Sequence, residues 1–123
     1  MPGNAGTQLL AENIELDIND FEKVLKFLKK VKVDLVIVGP EKPLVNGIVD
    51  YLEQNNIKVF GPRKIPSQLE GSKTFTKNIC KKYNIPTAKF GIFEKKENTF
   101  DFLKNSKFPI VIKADGLAAG KGV

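Results

Sequence analysis

The residues best suited to chemistry lie at the end of the chain, where Val111-Ile112-Lys113 runs into Ala114-Asp115-Gly116-Leu117-Ala118-Ala119-Gly120-Lys121-Gly122-Val123. Glycines let a backbone turn tightly and bring its amides close to phosphate oxygens. Lysines beside them supply charge for an anionic phosphate chain. The stretch is not a P-loop, whose pattern is G-x-x-x-x-G-K-[ST]. Here three residues separate Gly116 from Gly120, and Gly122 follows Lys121. The plain alternative is a hairpin turn, but a hairpin needs a single glycine. Three glycines, two lysines and an aspartate favour a phosphate-binding loop. Lys73, in Glu70-Gly71-Ser72-Lys73, is a further contributor at a helix start, where anions are favoured; a solvated lysine is its alternative. Two other segments are rich in backbone amides, Pro2-Gly3-Asn4-Ala5-Gly6-Thr7 and Gly39-Pro40-Glu41. A small polar ligand would fit there if both lie at one sheet edge. Ordinary loop chemistry is the alternative, and Glu41 can simply favour a helix dipole.

Composition narrows the chemistry. With one cysteine, Cys80, and no histidine, the chain has no internal disulfide, a zinc site is disfavoured, and no mechanism can use a histidine base from these residues. Cys80 reads as a packed thiol. Lysine and arginine number 20 against 14 acidic residues, a net charge of +6. Only Arg63 is arginine, so the forks that read base edges are nearly absent, and the lysines are spread along the chain. A nucleic-acid partner is therefore disfavoured, and the phenylalanines, at burial spacing, read as core rather than as a stacking platform. Apolar residues at 41% and charged residues at 28% describe a globular chain. No run is long enough to span a bilayer, and the opening residues show no secretory signal. No G-x-G-x-x-G follows a strand, which disfavours a dinucleotide-dependent dehydrogenase.

These residues must be positioned by an alternation of helices and strands. Ile14, Leu16 and Ile18 alternate with acidic residues, which predicts a short half-exposed strand. Asp20 is placed to cap a helix over 21–31 with the stripe Phe21, Val24, Leu25, Leu28 and Val31. Leu35 to Val38 predicts a buried parallel strand ending at Gly39-Pro40, and 57–60 a second one ending at Gly61-Pro62. The connecting helix is predicted over 44–55, with Leu44, Ile48, Val49 and Leu52 on one face. This is a βαβ rhythm, so the fold class is α/β with a parallel sheet, and ligands belong beyond the carboxyl ends of the strands. A domain boundary is expected near 62–70, where Pro62, Pro66, Ser67 and Gly71 cluster, giving domains 1–66 and 67–123. Beyond it come a helix over 73–83 capped by Ser72, a strand over 89–93, a helix over 100–105 and a strong buried strand over 109–113.

A set of motifs taken together carries a resemblance. Val33-Asp34-Leu35-Val36-Ile37-Val38-Gly39-Pro40-Glu41 with Pro43-Leu44-Val45, Phe60-Gly61-Pro62, Gln68-Leu69-Glu70-Gly71-Ser72-Lys73, Ile85-Pro86-Thr87-Ala88 and the run from Val111 to Val123 occur in order, after Pro2-Gly3-Asn4-Ala5-Gly6-Thr7. The chain resembles the phosphoribosylamine–glycine ligases (glycinamide ribonucleotide synthetases) of the ATP-grasp superfamily. The motifs cover nearly its whole length, most weakly over 90–108. The resemblance implies a Rossmann-like, pre-ATP-grasp N-terminal domain followed by the start of an ATP-grasp domain. It implies a reaction in which ATP, with Mg2+ or Mn2+, phosphorylates the carboxylate of glycine, and the amine of 5-phosphoribosylamine attacks the acyl phosphate. The products would be glycinamide ribonucleotide, ADP and phosphate, in de novo purine biosynthesis in the cytoplasm. Partners would be these small molecules, with no nucleic acid and no membrane. On the nucleotide side the resemblance implies Lys73, Lys113, Asp115, Gly116, Gly120, Lys121 and Gly122; on the phosphoribosylamine side it implies Gly3, Asn4, Gly6, Gly39, Pro40 and Glu41.

The family pattern also begins with a strand and a glycine-rich turn before Pro2-Gly3-Asn4, and it continues past the loop to a return strand and acidic metal ligands. The expectation is therefore that the 123 residues are an incomplete N-terminal domain and the beginning of a second, with no metal ligands of their own and no activity alone. The competing reading is a small α/β nucleotide- or phosphosugar-binding module without catalysis.

Overall fold

The computed structural model describes residues 3–118, which fall into two compact units dividing at Ser67 and Gln68. In the first unit a 3-10 turn at Thr7–Leu9 precedes α1 (Phe21–Val31), β1 (Val36–Ile37), α2 (Glu41–Asn46), α3 (Ile48–Gln54) and β2 (Val59–Phe60). The division falls within α4 (Lys64–Gly71); the second unit continues with α5 (Lys73–Lys82) and α6 (Lys96–Lys104).

Local chemistry sets α1. The Asp20 side chain accepts from the Lys23 amide at 3.1 Å and pairs with the Lys23 ammonium at 2.8 Å. Lys29 and Lys30 occupy the last turn, where cations are favoured. Its apolar stripe puts Val24 and Leu28 in the core. β1 and β2 are parallel, with Val36 opposite Val59 and Ile37 opposite Phe60. The Val36 amide donates to the Lys58 carbonyl at 2.9 Å and the Val38 amide to the Phe60 carbonyl at 3.0 Å. The α/β class with a parallel sheet is therefore observed.

The connecting segment is two helices rather than one. Gly47 adopts φ +97°, which ends α2 and starts α3. Its amide donates to the Leu44 carbonyl at 2.9 Å, and its own carbonyl accepts from Tyr51 at 3.1 Å. The break does not disturb the predicted face, since Leu44, Ile48, Val49 and Leu52 are all buried.

Burial of the strands differs from expectation. Val36, Val38 and Val59 pack against the core cluster, while Ile37 and Phe60 are about 70% exposed (71% and 70%). Period-2 alternation sends neighbours to opposite faces, and the core lies on the Val36–Val59 face alone. The predicted strand at 14–18 is not one either: Leu16 packs on the core, but no strand pairs with the segment among the described residues.

The proline-containing segment read as a boundary is helical. Pro66 is tolerated because the first turn of a helix has no intrahelical acceptor for that amide. The Lys64 amide instead donates to Asp50 Oδ2 at 2.7 Å.

In the second unit α5 begins where expected, with Ser72 accepting from the Phe75 amide at 3.0 Å. α6 starts about a turn earlier than predicted, at Lys96. The runs at 89–93 and 109–113 are not strands among the described residues, and Val111 and Ile112 are exposed. An apolar run becomes a strand only with a partner to pair with, and among the described residues no strand pairs with either run. The phenylalanines are core only in part: Phe21 packs against the core cluster, whereas Phe60, Phe93, Phe100, Phe102 and Phe108 are exposed, Phe93 and Phe102 meeting at a tilt with ring centroids 5.0 Å apart. Cys80 is half-buried rather than fully packed.

Candidate functional site

In the first unit, the early loop is a self-contained hydrogen-bonded turn. Asn4 Oδ1 accepts from the amides of Gly6 at 2.9 Å and Thr7 at 3.0 Å. The Asn4 amide donates to Thr7 Oγ1 at 2.8 Å. Asn13 closes the loop from nine residues beyond Asn4: its Nδ2 donates to the Asn4 carbonyl at 3.0 Å, and its Oδ1 accepts from Thr7 Oγ1 at 2.9 Å. Gly3 is fixed by this arrangement, since a Cβ there would sit 1.8 Å from Asn13 Oδ1. A cavity of about 410 Å³ opens beside the turn, lined by Gly3, Asn4, Gln8, Asn13, Ile14 and Glu15. Sequence reasoning missed Asn13, Gln8 and Glu15. Asn13 stands beside an acidic, alternating segment read as a strand, and nothing local marks it as a clamp.

Of the predicted phosphoribosylamine-side residues, Gly3 and Asn4 line the cavity, and the Asn4 side-chain oxygen is occupied within its own turn. Gly6 belongs to the turn without lining the cavity. Gly39, Pro40 and Glu41 do not line it. They follow the carboxyl end of β1, where Pro40 precedes α2 and Glu41 is its first residue. Gly39 has open space where a Cβ would project.

In the second unit, three of the predicted nucleotide-side residues, Lys73, Asp115 and Gly116, come together with Ser72 and Thr74. The Asp115 carboxylate accepts from the Ser72 hydroxyl, with Oδ2 at 3.0 Å and Oδ1 at 3.2 Å, and from the Thr74 amide at 3.2 Å. Lys73 Nζ donates to the Gly116 carbonyl at 2.9 Å. The Thr74 amide, with the Ser72 hydroxyl and the Gly116 amide adding to it against a little desolvation, lowers the Asp115 pKa to about 2. Gly116 adopts φ +91°, a conformation that glycine takes without penalty. Lys113 is exposed two residues before Asp115. Gly120, Lys121 and Gly122 lie outside the described residues. The N-terminus of α5 thus already holds an anion, the chain's own carboxylate.

Two lysines and a glycine turn can cradle and neutralise a phosphate chain. A divalent metal would need more: among the described residues no three His, Cys, Asp or Glu side chains are grouped to hold one. Nor is any helix among them long and apolar enough to cross a membrane.

Comparison with known proteins bears on both units. Residues 1–70 match the family model described as phosphoribosylglycinamide synthetase, N domain, and residues 71–123 match that of the same synthetase's ATP-grasp (A) domain. The chain is 50% identical over 124 residues to the phosphoribosylamine–glycine ligase of Clostridium acetobutylicum, 54% over 122 residues to that of Mesorhizobium japonicum, and 50% over 124 residues to that of Escherichia coli O6:H1. Each comparison covers 99% of this chain and 29% of the relative, so the chain spans under a third of the length of the curated relatives it matches.

Proposed function

We propose that this chain, which belongs to the phosphoribosylglycinamide synthetase family of ATP-grasp ligases, supplies the substrate-side domain and the first nucleotide-binding segment of a phosphoribosylamine–glycine ligase. The observation that carries the reading is the succession of two models of one enzyme, N domain and then ATP-grasp domain, over consecutive residues of the chain. The domains proposed are 1–66 and 67–123.

In the proposed reaction the carboxylate of glycine takes the γ-phosphoryl group of ATP. A carboxylate is a poor electrophile, and phosphorylation gives it a leaving group. The amine of 5-phosphoribosylamine then attacks the carbonyl carbon and expels phosphate, leaving glycinamide ribonucleotide and ADP. Catalysis of this kind rests on positioning and charge neutralisation, which suits a segment without histidine.

Lys73 and Lys113 serve the nucleotide side, where their charges balance the phosphates, together with the turn at Asp115-Gly116 and with Gly120, Lys121 and Gly122. Gly3, Asn4 and Gly6, with Gly39, Pro40 and Glu41, serve the phosphoribosylamine side; the cavity beside Asn4 and Asn13 supports that placement for Gly3 and Asn4, which line it. Mg2+ or Mn2+ would accompany ATP, held by residues other than those described here. The setting proposed is the cytoplasm, with small-molecule partners only.

The test is a hybrid enzyme in which these 123 residues replace the matching stretch of the Clostridium acetobutylicum ligase. The hybrid is expected to restore growth without purines to bacteria lacking their own ligase. A folded, expressed hybrid that never does so would refute the reading.

A further inference from the structure

Two segments more than forty residues apart in sequence meet at the start of α5 through polar contacts. Ser72, Lys73 and Thr74 approach Asp115 and Gly116 through the hydroxyl, amide and ammonium contacts described above. The chemistry of these contacts is directional. Ser72 accepts from the Phe75 amide at 3.0 Å while its proton is left to donate to Asp115. The Asp115 carboxylate then takes one of the orphan amides of the first turn, that of Thr74. Lys73, from the same turn, reaches back to the carbonyl of the next residue, Gly116.

Hydrogen bonds to an ionised carboxylate are roughly twice as strong as neutral ones. A carboxylate at the positive end of a ten-residue helix gains further from the helix dipole. Gly116, the next residue, holds φ +91°, a conformation that glycine takes without penalty. Asp115 is itself exposed, and its oxygens are turned onto the helix start.

We propose that Asp115 is a positioning residue: its carboxylate, seated on the Ser72 hydroxyl and the Thr74 amide, anchors the root of the glycine-rich segment to the helix that carries Lys73. The proposal rests on the nucleotide-side reading above and deepens it. Asp115 acts on the nucleotide through the segment it holds, not by touching phosphate. The same anchor keeps Lys73 beside the loop root and closes the N-terminus of α5 to any other anion.

Two measurements decide it, and the first is independent of the ligase reading. The first uses the 123-residue chain itself. By NMR, Asp115→Ala and Asp115→Asn are compared for the shift and solvent exchange of the Thr74 amide. Alanine is expected to move that resonance and speed its exchange by about tenfold, and asparagine, which keeps an acceptor oxygen, to move it less. A Thr74 amide indifferent to both substitutions would overturn the proposal whatever the enzyme does.

The second uses the hybrid ligase. Asp115→Ala is expected to raise the KM for ATP roughly tenfold with a smaller change in kcat, and Asp115→Asn to recover most of the loss. Ser72→Ala combined with Asp115→Ala should cost less than the sum of the two, because the residues share one interaction. Equal loss of kcat in the alanine and asparagine variants, with additive effects from Ser72, would mean a direct charge role and overturn the proposal. An unsubstituted hybrid that is folded but inactive would count against the ligase reading, and the NMR comparison would still decide the anchor.

Discussion

Asn13 and Asp115 do for the two loops what no glycine can do, because each supplies a side chain that ties a loop to a more ordered neighbour. Asn13 packs over Gly3 so closely that Gly3→Ala must displace it and break its bonds to Asn4 and Thr7. The expected cost is about 1–2 kcal/mol by urea unfolding. In an Asn13→Ala background the same substitution should cost little, since the clash and the bonds are then already gone. For Asp115 the sign follows from its lowered pKa. A carboxylate held at about 2 in the folded chain, against an ordinary value of 3.8, stabilises the fold fully above the ordinary value. That contribution fades as pH falls toward about 2. A carboxyl 13C titration should therefore find Asp115 still ionised at pH 3.5, and a midpoint in the ordinary aspartate range would contradict the contacts. The glycines and lysines of both loops were legible in the sequence by type and spacing. Their anchors were not, because a polar residue that reaches a distant backbone leaves no periodicity behind.

At the scale of elements, the sequence shows most clearly what short-range chemistry decides. The Asp20 and Ser72 caps and the stripe of α1 follow from neighbours within a turn or two, and each is found where its spacing puts it. The parallel pairing of β1 with β2 is also found; what failed was the expected covering of both sheet faces and the strands at 14–18, 89–93 and 109–113. Leu35 to Val38 has the composition of a strand buried on both faces, yet only one face meets helices. Pro66 and Gly71 look like breakers but lie within a helix, Pro66 in the first turn of α4, where a proline forfeits nothing, and Gly71 as its last residue. The asymmetry of the sheet gives a direct contrast. Leu52→Ala, at a side chain with no exposure, should cost about 2–5 kcal/mol. Ile37→Ala, on the uncovered face, should fall within about 0.5 kcal/mol. Denaturant midpoints of the two variants check the pair, and equal costs would mean that the exposed face is covered in solution.

For the whole molecule, the buried apolar side chains Val24, Leu28, Leu44, Ile48, Val49 and Leu52 all belong to the first unit. Among the described residues the second unit is held instead by half-buried contacts and by the polar ties around Asp115. That division matches the chemistry proposed for each, a packed domain bearing the substrate loops and a loop-rich segment bearing the nucleotide contacts. Lysine-rich charge, with a single arginine, suits phosphate neutralisation better than base readout. We propose above that the segment serves an enzyme that activates a carboxylate with ATP. The most direct measurement follows oxygen in the hybrid ligase, supplied with glycine labelled with 18O at both carboxyl positions, ATP and phosphoribosylamine. If an acyl phosphate forms and is expelled by the amine, each inorganic phosphate released carries one 18O and the amide product keeps the other. Phosphate released without label, while product still forms, would contradict the account.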